Sequence, residues 1–421
     1  MLNKNGQREL AYVVIIDGIE PIEGYDRVEL AVVGGWRVIV QKNQFKVGDP
    51  AIYFEVDSKV PSDRECFAFL AKRKYKIKTI KMCGVVSQGL LMHANDFGWK
   101  AYKAEETGYN EPACIIDNYN ACHYVDTESR FLTEILGVTH IEDEDNKPSA
   151  PVDKYKVMAQ RRPQIFKRKW ARWLMRREWG RKLMFMLFGR KKKKFETAFP
   201  TKFPYIKKTD QERCENMPWV LKDKTPYIVT QKCDGSSATY ILARTHNPFH
   251  PFEFYVCSRN VRMLRPDQKC FYDENVYWQM AEKYGIEEKL KNILKQNRKL
   301  QYVCWQGEIC GPRIQKNPHH LKENHLFCFH MIDSIRGKYD MRDAEKYWIA
   351  YSMEMVPIVD ISFRMPDDFE EFKAMATGFY STQVTEGTPE CPREGYVYYK
   401  TTDPNFSFKN VSNKFLLSKN E

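Results

Sequence analysis

Tyr227-Ile228-Val229-Thr230-Gln231-Lys232-Cys233-Asp234-Gly235-Ser236-Ser237 reads as an apolar strand that ends on a lysine and turns through Asp-Gly. A glycine just past the tip has no Cβ, so the backbone there can approach a phosphate closely. The amine of Lys232 is a candidate nucleophile, provided its neutral form is accessible. By itself K-x-D-G is also an ordinary hairpin turn. The segments that follow it decide between the two readings.

Downstream come Ser258-Arg259-Asn260 after the strand-like Phe252–Val256, and then Trp305-Gln306-Gly307-Glu308-Ile309-Cys310-Gly311. Leu326-Phe327-Cys328-Phe329-His330-Met331 is next, followed by Arg393-Glu394-Gly395-Tyr396-Val397 and Phe408-Lys409-Asn410-Val411-Ser412. In this order the segments resemble the motifs of covalent nucleotidyltransferases, a group of DNA ligases, RNA ligases and capping enzymes. K-C-D-G-S-S and S-R-N are most similar to ATP-dependent RNA ligases. The resemblance runs from about residue 200 to the C-terminus. It implies an α+β catalytic domain of antiparallel, ATP-grasp-like sheets with helices.

The resemblance also implies roles. Lys232 would carry AMP as a covalent phosphoramidate, drawn from ATP. Asp234, Glu308 and Glu394 would hold Mg²⁺ or Mn²⁺ through water, as suits hard, hydrated cations; Glu308 would also touch the nucleotide. Arg259 would grip a phosphate or ribose with its planar fork. Phe329 would stack on the base, with Phe327 its rival on the same face of an alternating strand. Thr230 and Gly235, flanking the lysine, are assigned to the nucleotide. Lys409 would contact the α-phosphate. The usual pattern has a second lysine two residues on, but here Val411 stands there and the next lysine is Lys414. Lys414 and Lys208 complete the candidates. Gly307 and Gly395, next to the two glutamates, would let the backbone approach a sugar.

Residues 11–95 read as short strands. Val13–Ile16 is one, and Val28–Val33 and Trp36–Val40 form a hairpin through Gly34-Gly35. Ile52–Val56 follows, and Lys76–Lys81 alternates basic and apolar residues as a strand with one cationic face would. This spacing suggests a small OB-like β-barrel. With Lys46-Val47-Gly48-Asp49 and Ser87-Gln88-Gly89-Leu90-Leu91 it resembles the N-terminal module of Deinococcus-type RNA ligases, whose implied task is to grip nucleic acid rather than nucleotide. The resulting domain expectation is an OB-like module over 1–105, a connector over 106–153, a basic amphipathic insert over 154–198 and a nucleotidyltransferase domain over 199–421. Thr209-Asp210-Gln211-Glu212 has the pattern of a capping box and predicts a short helix. Tyr277–Leu300 predicts a long helix, interrupted at Gly285.

Charge is concentrated. Residues 154–194 hold 17 Lys/Arg and one acid, while the remainder holds 50 basic and 54 acidic residues. Phe166, Trp170, Trp173 and Leu174 recur there at helical spacing, as in an amphipathic helix that addresses phosphate. Twelve cysteines without C-x-x-C spacing read as reduced thiols of a cytoplasmic protein. The run Leu183–Phe188 is too short to span a bilayer.

Only 12 residues follow Lys409, too few for the C-terminal OB domain that DNA ligases and capping enzymes carry. The order therefore favours an ATP-dependent RNA ligase that joins 3′-OH to 5′-phosphate at a nicked duplex, with RNA on the 3′-OH side. Two alternatives stay open at this stage: a non-catalytic nucleic-acid-binding protein on the same scaffold, and an ATP-dependent DNA ligase.

Overall fold

A computed structural model describes residues 1–3, 8–102, 113–118, 121–124, 131–141, 163–166, 168–188, 196–265, 275–386 and 391–419. The chain divides into one compact unit of residues 1–141 and 196–421 and a second of residues 142–195. The fold of the first unit is α+β, a small β-barrel joined to a two-sheet domain.

In the N-terminal module, Ala11–Ile15, Pro50–Phe54 and Leu90–Met92 form one sheet, and Gly18–Pro21, Val28–Val33 and Trp36–Gln41 form another. The hairpin has the expected register, Val33 opposite Trp36, and Gly34 takes φ 57°. Alternation sends Trp36, Val38 and Val40 inward onto Tyr12, Tyr53 and Ala31. A glycine is required at position 89, where φ is 97° and a Cβ would lie 2.4 Å from the Tyr53 ring.

Two expectations change here. Lys76–Lys81 is not one strand: Lys76–Ile77 and Ile80–Met82 belong to different sheets, and Thr79 between them is buried. The described part of the connector is not free linker. Leu132, Leu136 and Val138 enter the module's second core with Phe54, Phe67 and Ile77, and Leu132 N–H donates to Ala11 O at 2.8 Å. Its acidic run at 142–145 lies outside the described residues.

The C-terminal domain has a seven-stranded sheet centred on Ser236–Arg244, Tyr302–Cys310 and His325–Asp333, and a five-stranded sheet centred on Tyr227–Lys232, Gly395–Lys400 and Ser407–Val411. Apolar residues of both sheets meet in one core: Ile228, Val397 and Tyr399 from the smaller, Tyr240, Leu242, Val303 and Trp305 from the larger. The outer face of the larger sheet is covered by Phe199, Phe203 and Ile206. The expected long helix is two, Val276–Lys283 and Ile286–Gln296, parted by Gly285 at φ 58°.

The capping pattern at 209–212 does not start a helix. Glu212–Arg213 is a short strand parallel to Ser407–Val411, followed by a 3₁₀ turn at Cys214–Asn216. That turn joins the two-sheet domain to the N-terminal module. Gly35 N–H donates to Glu215 O at 2.8 Å, Trp36 Nε1 and Tyr12 Oη donate to Asn216 Oδ1 at 2.6 and 3.0 Å, and Arg213 pairs with Asp57 at 2.9 Å. A Cβ on Gly35 would lie 2.3 Å from the Phe369 ring and 2.7 Å from Glu215 Cα.

The basic unit, described by itself, contains helices Pro163–Phe166, Lys169–Met175 and Glu178–Phe188. Phe166, Ala171 and Met184 form its small core. Trp170, Trp173 and Trp179 are about half exposed, so the tryptophans are not its buried face. Among the described residues no helix is long and apolar enough to cross a membrane.

Candidate active site

Lys232 ends its strand opposite Gly395. Glu394 precedes Gly395, and its Oε1 lies 2.9 Å from Lys232 Nζ. Glu308 stands opposite Ser237 on the neighbouring strand, one turn away from the lysine. Asp234 is buried in that turn, and its Oδ1 accepts from Lys419 Nζ at 2.8 Å. Three carboxylates thus converge on one amine.

Burial alone would lower the lysine's pKa, but Glu394, Glu308 and Asp234 outweigh it and hold the ammonium above its usual range. Burial pushes the Glu308 carboxyl up to about 8; Lys232 opposes this while Glu394 and Asp234 add to it. Burial and the charge of Glu394 push Asp234 up to about 6 against Lys419 and Lys232. Asp234 Oδ2 and Glu394 Oε2 are buried and have no hydrogen-bond partner among the described residues. Crowded, partly unpartnered carboxylate oxygens are the donor set a hydrated divalent cation suits, so the site fits Mg²⁺ or Mn²⁺.

The glycines have a tighter reason than sugar contact. A Cβ on Gly395 would lie 2.0 Å from Asn410 O, with φ at 151°. One on Gly235 would lie 2.3 Å from Ile309 O and 2.9 Å from Glu308 Cγ, and one on Gly307 would lie 2.8 Å from Phe327 O. Adjacent backbone fills the space a side chain would need at these positions, a demand independent of any sugar contact by Gly307 and Gly395.

Thr230 shares the lysine's face of the strand by alternation, and it is buried. Phe327 and Phe329 are separated by their surroundings. Phe327 is buried in a cluster with Cys233, Cys310 and Tyr380, whereas Phe329 only borders that cluster. A shift in strand register between Gln306 and Gly307 falls opposite Phe329, and the ring keeps a half-buried face.

Lys409, on Ser407–Val411, lies 3.1 Å from Asp210 Oδ1. Arg259 Nη2 donates to Asp210 Oδ2 at 3.1 Å. Burial pushes the Lys409 ammonium down to about 8; Asp210 opposes this, while Arg8, Arg213 and Lys232 add to it. Lys208 donates to Asn260 Oδ1 at 3.1 Å. Lys414 is exposed, its ammonium 5.6 Å from the centre of the Phe379 ring. Val411 is buried where the second lysine of the pattern would stand.

Sequence reasoning missed Asp210, Arg8 and Lys419. Each acts across a long sequence separation, which no local spacing encodes. It also missed the grouping of Cys233, Cys310 and His319, three buried donors within 4.8 Å of one another. Nine cysteines, Cys66, Cys83, Cys214, Cys233, Cys257, Cys304, Cys310, Cys328 and Cys391, are free thiols.

With that geometry in place, a family profile described as RNA ligase matches residues 225–415, and one described as an OB-fold domain matches residues 10–94. No curated protein matches in sequence. Among solved structures, a mutant Naegleria gruberi RNA ligase with AMP and Mn is 25% identical, with a TM-score of 0.66, covering 97% of this chain and 98% of that one. The same ligase with PPi is 24% identical, with a TM-score of 0.67 and the same coverage. A further mutant without ligand is 24% identical, with a TM-score of 0.67 and 97% of both chains covered.

Proposed function

We propose, from the premise that this chain belongs to the RNA ligases and carries an N-terminal OB-fold domain, that it seals 3′-OH and 5′-phosphate ends at nicks in duplexes, with RNA on the 3′-OH side. The substrates are ATP and nucleic acid. The observation that carries the reading is one amine at a strand tip, ringed by Asp234, Glu308 and Glu394, with Arg259 and Lys409 gathered on Asp210, near enough for Arg259 to act on Glu308 and Lys232 on Lys409 through their charges. The similar Naegleria enzyme has been solved with ATP and Mn and with AMP and Mn, which supports ATP and a divalent metal here.

Three in-line transfers follow from this set of residues. First, Lys232 Nζ loses its proton and attacks the α-phosphorus of ATP; the Nζ–P bond forms and pyrophosphate leaves. Glu394, 2.9 Å away, orients the amine. Next, the 5′-phosphate oxygen at the nick attacks the same phosphorus, the Nζ–P bond breaks, and AMP passes to the nucleic acid. Finally, the 3′-OH attacks the 5′-phosphorus and AMP leaves. Arg259 and Lys409 neutralise phosphate charge, and Phe329 offers its half-buried face to the adenine. Asp234, Glu308 and Glu394 would hold a divalent ion, which would supply positive charge that stabilises the transferring phosphoryl group and favours the neutral amine.

Nine free cysteines support a reducing, cytoplasmic setting. The OB module supports a role in holding the duplex. Incubation with α-labelled ATP and Mn²⁺, followed by a denaturing gel, tests the chemistry. The full chain should take up label and Lys232→Ala should not, while that variant should still seal a pre-adenylylated nick. Label on Lys232→Ala would place the nucleophile elsewhere. A panel of nicked duplexes with RNA or DNA on each side tests the substrate, and equal sealing with DNA at the 3′-OH end would exclude the RNA preference.

A further inference from the structure

Cys233, Cys310 and His319 bring two thiols and an imidazole together from three places in the chain. The two Sγ atoms and a ring nitrogen of His319 lie within 4.8 Å of one another, and all three residues are buried. Cys233 stands in the turn between Lys232 and Asp234. Cys310 ends the strand that carries Glu308, and His319 lies in the loop over 311–324 that follows. The backbone of Val384 and Asp234 is close enough to act on the imidazole, yet neither ring nitrogen has a hydrogen-bond partner among the described residues. The Tyr380 ring, its centre 4.2 Å from that of the imidazole, covers one face of His319. Buried polar groups are normally satisfied, so this imidazole is short of a partner. A metal ion is a partner that the two thiols can share with it.

The loop adds a demand of its own. Arg313, Gln315, Lys316, Asn317 and His320 all take left-handed φ, between 45° and 66°. Each such residue costs free energy, so a loop of this shape persists only where its surroundings fix it. Two ties are in place. Asn317 Nδ2 donates to Leu321 O at 2.9 Å, and Glu386 N–H donates to His319 O at 3.3 Å. The His319 side chain is the point at which the loop meets the two cysteines.

We propose that Cys233, Cys310 and His319 bind one Zn²⁺ as a buried structural site, distinct in ligands and in metal from the carboxylates around Lys232. The inference goes beyond the ligase reading and does not depend on it. Tetrahedral zinc, with Zn–S of about 2.3 Å and Zn–N of about 2.0 Å, sets its donors about 3.5–4 Å apart, so small side-chain shifts bring the three into place. Each thiol passes its proton to solvent as its sulfur binds, and two thiolates cancel the charge of the ion, so a neutral group is buried. The fourth position falls to an oxygen, and Asp234 O, which accepts from Cys310 Sγ at 3.9 Å, faces the cluster. Soft thiolates select zinc over Mg²⁺ and Mn²⁺, whereas Asp234, Glu308 and Glu394 suit those harder ions. The zinc would tie the turn after Lys232 to the strand end beyond Glu308 and to the loop. Its work is to position these segments, and it touches no substrate.

Full-length protein tests this, stripped with a chelator under reducing conditions and kept in excess Mg²⁺ so that the carboxylates are filled. Co²⁺ is the probe, because thiolate-to-cobalt charge transfer absorbs in the near ultraviolet and oxygen ligands give no such band. An equivalent of Co²⁺ should produce that band together with the strong visible absorption of a tetrahedral ion, and Zn²⁺ should abolish both. Elemental analysis of unstripped protein should find about one zinc per chain. Zn²⁺ should raise the melting temperature of stripped protein, since it binds the folded chain. Cys233→Ser, Cys310→Ser and His319→Ala should each weaken Zn²⁺ binding by about tenfold or more. Cys83→Ser, outside the cluster, should match the parent, and His319→Cys, which restores a donor, should restore the cobalt band.

No charge-transfer band in the unaltered chain, once elemental analysis shows it free of zinc, would reduce the three residues to packing and overturn the site. That measurement needs no variant, so a substitution that folds poorly does not blur it. A band that survives both Cys233→Ser and Cys310→Ser would place the metal elsewhere. A Cys233–Cys310 disulfide in peptides from unreduced, zinc-free protein would make the pair a redox couple and equally overturn the zinc assignment.

Discussion

Lys232 is held charged by the same carboxylates that suit a divalent ion, so the neutral amine that the proposed reaction needs is disfavoured until their charge is offset. Glu308, at about 8, and Asp234, at about 6, bind protons more tightly than in the unfolded chain. A carboxyl raised in this way contributes stability while it stays neutral, and that contribution is lost as pH climbs from the ordinary carboxylate range through 6 to 8. Metal-free protein should therefore melt at a lower temperature at pH 8.5 than at pH 6. Added Mn²⁺, which takes the ionised forms, should raise the melting temperature more at the higher pH. Thermal melts with and without Mn²⁺ at both values check this, and an equal Mn²⁺ effect at pH 6 and 8.5 would contradict it. The grouping of the lysine with the glutamates was legible in the sequence, and the structure brings Lys232, Glu308 and Glu394 together. Asp210 was misread as part of a capping box because its partners, Arg8 and Lys409, lie about 200 residues away in either direction.

Strands were legible where side-chain alternation carries the burial, as in Val28–Val33 with Trp36–Gln41. They were not legible at Lys76–Lys81, where two short strands go to different sheets although the local pattern alternates without a break. The glycines beside the glutamates were legible as special, but the steric demand on them was not, since only packed backbone reveals what a Cβ would strike. Gly395→Ala should consequently act on stability before chemistry. A Cβ 2.0 Å from Asn410 O forces apart the strands that carry Glu394 and Lys409. The expected cost is on the order of 3 kcal/mol or more, read as a lowered denaturant midpoint, with AMP labelling lost in proportion to unfolding. An unaltered midpoint with lost labelling would return Gly395 to a nucleotide contact. Gly35→Ala tests the other joint. Its Cβ would strike Phe369 and Glu215 at the turn that docks the module, so stability should fall although the substitution lies far in sequence from the catalytic strands.

At the scale of the molecule, charge and packing are divided between two bodies. Residues 154–194 carry a balance of +16 and the rest of the chain −4. Charge runs of this size were plain in the sequence. Which face of the insert is apolar was not, because helical spacing cannot distinguish a packed tryptophan from an exposed one. The unit buries Phe166, Ala171 and Met184, and leaves Trp170, Trp173 and Trp179 half exposed, with the Arg177 guanidinium 4.1 Å from the Trp173 ring centre. Cations interleaved with exposed aromatic rings suit a phosphate backbone with accessible bases. If the unit neutralises several phosphates, its deletion should weaken binding to a nicked duplex and flatten the slope of log affinity against log salt by ~0.9 for each phosphate no longer neutralised. AMP labelling of Lys232 should hardly change, because that step needs only ATP and metal. A unit that served instead to brace the catalytic domain would lower the melting temperature on deletion and leave the salt slope where it was. A membrane-surface role would show as co-sedimentation with anionic vesicles that deletion abolishes. Titration of labelled nicked duplex at several salt concentrations, full chain against deletion, separates these outcomes, and an unchanged slope would rule out the phosphate-binding role.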